Sequence, residues 1–154
     1  MTSTSPRTPT AAVVLAAGIG SRMQSALPKV MHPIAGRPML GHVLGALAGE
    51  KITPVVVVIG PDMDEVAKAA SPHQCVVQKD RLGTGHAVLQ AKNALAAFTG
   101  DILIVYGDTP FISAETLRKM RVADVSILRN KTLIVLASQR NAGCKWASTQ
   151  AFLR

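Results

Sequence analysis

Residues 54–60 read PVVVVIG, and this run constrains the fold more than any other stretch of the chain. Four valines and an isoleucine in succession leave no polar face. β-Branched side chains are crowded in a helix and fit a pleated strand. A strand that is apolar on both faces needs cover on both, which is the position of a strand in a parallel sheet. Ala11–Leu15 (AAVVL) and the run DILIVY at 101–106 have the same character, and CVVQ at 75–78 is a shorter example.

Helical patterns lie between these runs. In RPMLGHVLGALAG, Met39, Leu40, Val43, Leu44 and Leu47 recur at helical spacing, with Pro38 suited to the first turn and Gly49 to the end. DMDEVAKAA opens on acids, as a helix N-terminus favours. GTGHAVLQAKNALAAF reads as one long helix, and Ser113 as the N-cap of AETLRKM. Strand and helix alternate four times. The fold class expected is therefore α/β: a Rossmann-like, open, mostly parallel sheet with helices on both faces and right-handed crossovers. Ala123–Leu128 (ADVSIL) and Thr132–Ala137 (TLIVLA) are apolar enough for further strands. Beyond them, SQRNAGCKWASTQAFLR has no clear period.

Composition narrows the class further. The chain has 154 residues, enough for one domain with a real core, and the core must be aliphatic, since aromatic residues make up 3%. The N-terminal MTSTSPRTPT has no apolar middle and reads as a polar tail, 1–10, of a cytoplasmic protein. No apolar run is long enough for a bilayer, so no membrane insertion is expected. Net charge is +8, yet residues 1–120 carry 11 basic against 8 acidic side chains, and residues 121–154 carry 6 against 1. The excess sits at the end of the chain, without aromatic interleaving or a nucleic-acid motif, so no nucleic-acid partner is expected. Cys75 and Cys144 lie too far apart in sequence to suggest a zinc site or a disulfide framework, and Cys75 is expected to be buried. His32, His42, His73 and His86 lack metal-ligand spacing and are read as structural or solvated.

In an open α/β sheet, ligands bind beyond the carboxyl ends of the strands. Three clusters fall there: Ala16–Lys29, Gln78–Thr84 and Tyr106–Pro110. The first, LAAGIGSRMQSALPK, fails as a dinucleotide fingerprint because Met23 stands where the third glycine belongs. It keeps a flexible turn whose N–H groups can face an anion, with Arg22 and Lys29 nearby. That combination suits a triphosphate, and it equally describes an ordinary turn with solvated basic residues. Asp108 follows a buried strand, where a carboxylate can hold Mg²⁺ against phosphate oxygens or simply cap the turn before Pro110. Gln78, in QKDRLGTGHA, offers an amide suited to a base edge, or a loop closing onto a helix.

Taken together, LAAGIGSRMQSALPKVMHPIAGRPML, VVQKDRLGTGHAV and VYGDTPFISAETL resemble the sugar-phosphate nucleotidyltransferases. Within them, LPKVMHPIAGRPM and Q…LGTGHAV resemble the N-terminal uridyltransferase domain of the bifunctional N-acetylglucosamine-1-phosphate uridyltransferase/glucosamine-1-phosphate acetyltransferase family. The resemblance covers about residues 11–120. It implies a cytoplasmic transferase with Mg²⁺ as cofactor and with UTP and N-acetylglucosamine 1-phosphate as partners. The products would be UDP-N-acetylglucosamine, a precursor for peptidoglycan and lipopolysaccharide, and pyrophosphate. It also implies roles. Leu15, Ala16, Ala17 and Gly18 would line the nucleotide, Lys29 would contact phosphate and Arg22 would stabilise the leaving pyrophosphate. Gln78, Gly83 and Thr84 would recognise uracil, Tyr106 and Gly107 would flank the sugar nucleotide, and Asp108 would hold the metal.

The resemblance fades towards the end of the chain. Residues 11–128 are expected to form a partial nucleotidyltransferase domain, incomplete at the C-terminus, and 129–154 an atypical segment from a frame shift or another non-native source. Oligomers are expected only of the full-length family form. Two alternatives stay open: transfer from CTP or GTP to another acceptor, and a nucleotide-binding fragment without catalysis.

Overall fold

The computed structural model describes residues 9–20, 25–122 and 136–138. The elements are β1 (Thr10–Leu15), β2 (Pro33–Ile34), β3 (Arg37–Pro38), α1 (Met39–Gly49), β4 (Val55–Ile59) and α2 (Asp64–Ala70). They continue with β5 (Gln74–Val77), α3 (Thr84–Gln90), β6 (Asp101–Tyr106), α4 (Ala114–Val122) and β7 (Leu136–Ser138). A short 3-10 helix at Lys29–Met31 precedes β2.

The main sheet has the order β5-β4-β1-β6-β7. β1 pairs in parallel with β4 on one side and β6 on the other, so Val13 lies level with both Val56 and Ile104. β5 pairs in parallel with β4, while β7 runs antiparallel to β6. The mostly parallel α/β sheet expected from the apolar runs is the sheet observed.

Alternation along the strands divides the core into two layers. Ala12, Val14, Val55, Val57, Leu103 and Val105 face one side, where Leu40, Val43, Leu44 and Leu47 of α1, Val66 of α2 and Leu117 of α4 pack. Ala11, Val13, Val56, Val58, Ile102 and Ile104 face the other, against Ala87, Val88, Ala91 and Leu95. The helical pattern of α1 buries four of its five apolar positions and leaves Met39 half-buried. Ser113 caps α4 as expected, its Oγ accepting from the N–H of Thr116 at 3.0 Å. Arg121 ties α4 to the base of the sheet, donating to Thr10 Oγ1 at 3.2 Å and to the Glu50 carbonyl at 3.1 Å.

Three expectations change. The long helix over 83–98 is helical only to Gln90, and turns follow. Several bonds past that point join residues three apart, such as Lys92 N to Leu89 O and Phe98 N to Leu95 O, so the backbone tightens where the α pattern stops. Cys75 is half-buried rather than buried, because β5 is the outer strand; partial burial still pushes its thiol pKa above the ordinary value. The β2–β3 hairpin was not foreseen. It turns through Ala35 and Gly36, both at positive φ (49° and 77°), the turn geometry whose twist suits two-residue hairpins.

Of the two late apolar runs, β7 overlaps the end of Thr132–Ala137, whereas Ala123–Leu128 lies outside the described residues, as does Cys144. No helix among the described residues is long and apolar enough to cross a membrane.

Leu47→Ala empties a fully buried position between α1 and the sheet and should cost about 2–5 kcal/mol. Leu89→Ala, at an exposed position of α3, should stay within about 0.5 kcal/mol. Urea midpoints of the two variants check this contrast, and equal shifts would contradict the layer assignment.

Candidate functional site

The chain leaves β1 by α1 to reach β4 and moves outward to β5, then crosses back by α3 to β6 on the other flank of β1. Its direction reverses about β1, and such a switch point opens a crevice at the carboxyl ends of the strands. A cavity of about 520 Å³ lies there. Its lining draws on all three sequence clusters. Leu15, Ala17, Gly18, Gly20 and Lys29 come from the first, Gln78, Gly83 and Thr84 from the second, and Tyr106 and Asp108 from the third.

The ladder bonds continue past β1 and hold the turn. Ala16 N donates to Val58 O at 2.8 Å, and Gly107 N donates to Leu15 O at 2.9 Å. Gly20 has φ +70° and stands so close to Lys29 that a Cβ would come within 2.9 Å of the lysine Cβ. The loop therefore returns on itself, and Pro28 starts the 3-10 helix that carries Lys29. Lys29 Nζ pairs with Asp108 Oδ2 at 2.5 Å across the cleft. Asp108 sits in a tight turn closed by Thr109, whose Oγ1 donates to the Tyr106 carbonyl at 2.7 Å.

The second cluster forms the opposite wall. Gln78 is buried at 4% exposure, and its Nε2 donates to the Gly83 carbonyl at 3.2 Å and lies 3.2 Å from His86 Nδ1. Gly83 has φ +98° and ψ 179°, backbone space that essentially only glycine occupies. Thr84 Oγ1 and Tyr106 OH meet at 3.4 Å, joining α3 to β6.

Two expected residues do not line the cavity. Ala16 points to the opposite face from Leu15, into the α1 core. Gly107 is buried behind the wall, where a Cβ would meet Val30 Cγ1 at 3.1 Å and Leu15 O at 3.2 Å. Arg22 lies outside the described residues. Four lining residues, Gly20, Val30, Arg81 and Ala87, were not among those singled out for the site from the sequence. Arg81 reaches back over the end of β4, where its guanidinium would lie 3.2 Å from a Cβ on Gly60. The signal for it was its place between Gln78 and Gly83, although a lone loop arginine usually faces solvent.

A cleft with a glycine turn, two cations and one carboxylate suits a polyphosphate ligand with a counter-ion. Residues 12–143 match the MobA-like NTP transferase domain. The chain belongs to that family. This nucleotidyltransferase domain is 55% identical, over 126 residues, to the bifunctional protein GlmU of Paramagnetospirillum magneticum, a match covering 82% of this chain and 28% of that protein. The chain thus spans about a quarter of the length of the curated relatives it matches. The likeness to the bifunctional uridyltransferase family read from the three clusters is thereby shown.

Among solved structures, a nucleotidyl transferase from Methanothermobacter superposes with a TM-score of 0.59 at 27% identity, over 73% of this chain and 56% of that one. A Bacillus anthracis protein described as a glucose-1-phosphate thymidylyltransferase superposes with a TM-score of 0.63 at 21% identity. That match covers 71% of this chain and 48% of that one, and shares the fold.

Gly83→Ala adds a methyl group that meets no atom within 4 Å, so its cost is backbone strain of about 1–3 kcal/mol. Gly49→Ala, equally uncrowded but at the end of α1 and without a positive φ, should stabilise by about 0.5–1 kcal/mol. Denaturant midpoints of opposite sign are the expected result.

Proposed function

We propose that the cleft binds UTP and transfers its uridylyl group to N-acetylglucosamine 1-phosphate, giving UDP-N-acetylglucosamine and pyrophosphate for cell-envelope synthesis in the cytoplasm. The observation that carries this reading is the convergence of three separate sequence clusters on one cavity, with Lys29 and Asp108 facing each other across it. Similarity to relatives named bifunctional protein GlmU, with the nucleotidyltransferase family match, supports nucleotidyl transfer to a sugar phosphate. The choice of UTP and N-acetylglucosamine follows the resemblance carried by LPKVMHPIAGRPM and Q…LGTGHAV.

The nucleophile in this reaction is a phosphate oxygen, which is already ionised, so the protein has no hydroxyl or thiol to activate. Its work is positioning and charge compensation. Backbone N–H groups of the turn at Gly18–Gly20 would face the triphosphate. Lys29 would leave Asp108 for a phosphate oxygen, and Arg22 would meet the charge that grows on departing pyrophosphate. Gln78, Gly83 and Thr84 would read the base, and Tyr106 would border the sugar side. Arg81 adds a cation with no ion pair among the described residues.

Magnesium belongs to the same reading. Among the described residues Asp108 is the one carboxylate in the cavity wall, and no group of three or more His, Cys, Asp or Glu could enclose an ion. That sparse donor set fits Mg²⁺, which takes one or two carboxylates with phosphate oxygens and keeps several waters. Asp108 would hold it, and when bound it would neutralise charge on the triphosphate.

The test is pyrophosphate release from UTP, N-acetylglucosamine 1-phosphate and Mg²⁺, beside calorimetric titrations with UTP, CTP and GTP. Release that depends on both substrates is the expected outcome. Preference for CTP or GTP would move the assignment to another nucleotidyltransferase, and UTP binding without release would make this a binding domain.

Asp108→Asn keeps the shape and removes the charge. It should raise the Mg²⁺ concentration needed for half-maximal nucleotide binding about tenfold or more while the folded baseline is kept. An unchanged metal titration would remove Asp108 from the metal role.

A further inference from the structure

The amide of Gln78 has its orientation set from behind. Its Nε2 carries two hydrogens and has two neighbours, the Gly83 carbonyl and His86 Nδ1, each at 3.2 Å. A carbonyl oxygen is an acceptor in every protonation state, so the bond to Gly83 assigns the nitrogen end to that side. The second hydrogen then requires His86 Nδ1 to accept, which puts the ring proton on Nε2. An imidazolium, a donor on both sides, would have nothing to receive its Nδ1 proton. The amide oxygen of Gln78 is the end left for a ligand, in a side chain that lines the cavity.

The other side of the ring sharpens this assignment. Gln90 Nε2 lies 3.2 Å from His86 Nε2 and donates to the His86 carbonyl at 3.1 Å. Two amide nitrogens thus flank a neutral ring that can accept from only one. Gln90 keeps its bond to the His86 carbonyl and, being half-buried, can give its second hydrogen to solvent, whereas Gln78, at 4% exposure, has no such alternative for its own. Gln78 therefore decides the tautomer.

We propose that His86 is a positioning residue for base selection: by accepting from Gln78 Nε2, it holds the Gln78 oxygen towards the cavity. An acceptor there matches the N3–H of uracil and opposes the lone pair that cytosine carries at the same ring position. The inference deepens the uridylyl-transfer reading and rests on it. His86 itself touches no substrate. Without its Nδ1, one hydrogen of a buried amide loses its partner, and the pull on the amide orientation weakens.

The experiment combines one spectrum with two variants of the whole chain. ¹⁵N-resolved imidazole correlations on the ¹⁵N-labelled chain should show His86 with a bare Nδ1 and a protonated Nε2, without any nucleotide. Calorimetry with UTP and CTP then compares wild type, His86→Leu and His86→Asn. Leucine removes the acceptor, and asparagine restores an oxygen near the place of Nδ1. His86→Leu should bind UTP about tenfold more weakly and reduce the preference for UTP over CTP by a similar factor. His86→Asn should recover most of that preference.

A protonated Nδ1, or an unchanged UTP preference in a folded His86→Leu, would overturn the inference. So would an asparagine variant no more selective than the leucine one. If the wild type itself fails to prefer UTP, the uridylyl reading falls and takes this inference with it. If the wild type prefers UTP and His86→Leu keeps that preference, this inference falls alone.

Discussion

β1 is hydrogen-bonded on both edges and buried on both faces, and the remaining structure is arranged around that fact. After Thr10 at its first position the strand carries no polar side chain, so its chemistry can begin only where the ladder ends. Ala16 and Gly107 continue the ladder by one bond on each side, and the backbone beyond is free to turn. The position of the cavity follows from strand order. Outward travel to β5 and a return to β6 leave the two flanks of β1 occupied by segments distant in sequence, and their loops meet above its end.

The two cores make the site's walls unequal. The α1 side is thick, built from leucines and valines of α1, α2 and α4, and it carries the buried groups Ala16 and Gly107 as backing. The α3 side is thinner and more polar. Gln78, His86 and Gln90 form a chain of side-chain contacts there beside Ala87 and Val88. On the proposed reading, selectivity for a base would belong with such a wall, because a polar network held in low dielectric tolerates few arrangements. Phosphate chemistry would then belong at the glycine turn, where backbone and flexible cations can accommodate charge.

Much of this was legible in the sequence, for a physical reason. Runs such as PVVVVIG admit one placement, so the strands and their parallel pairing followed from residue type alone. Leu40, Val43, Leu44 and Leu47 fixed the inner face of α1 in the same way. Ser113 was legible because a helix N-terminus has few other ways to satisfy its N–H groups. The β2–β3 hairpin was not, since Ala35 adopts a positive φ that alanine does not advertise. The end of α3 was also hidden, because ALAAF continues the apolar period after the hydrogen bonding has changed. At the site, glycines and charges past strand ends announced themselves, and nine of the twelve residues singled out stand in the cavity wall. Arg81 and His86 did not stand out. Their relevance depends on where a loop folds back and on which ring nitrogen faces an amide, and neither is encoded in spacing.

The Lys29–Asp108 pair has a thermodynamic consequence. At rest Lys29 and Asp108 answer each other's charge, and Arg81 stands apart from them as a further cation in the wall. A phosphate arriving alone would draw Lys29 away and leave Asp108 uncompensated. A divalent cation arriving alone would claim Asp108 and strand the ammonium beside it. Only a cation and a polyphosphate together would replace both halves of the pair, so on the proposed reading the two ligands would favour each other's binding through the protein by the same factor in either direction. On the proposed reading the cleft would be tuned to the salt rather than to either of its ions, and dilute phosphate or free metal would compete poorly for it.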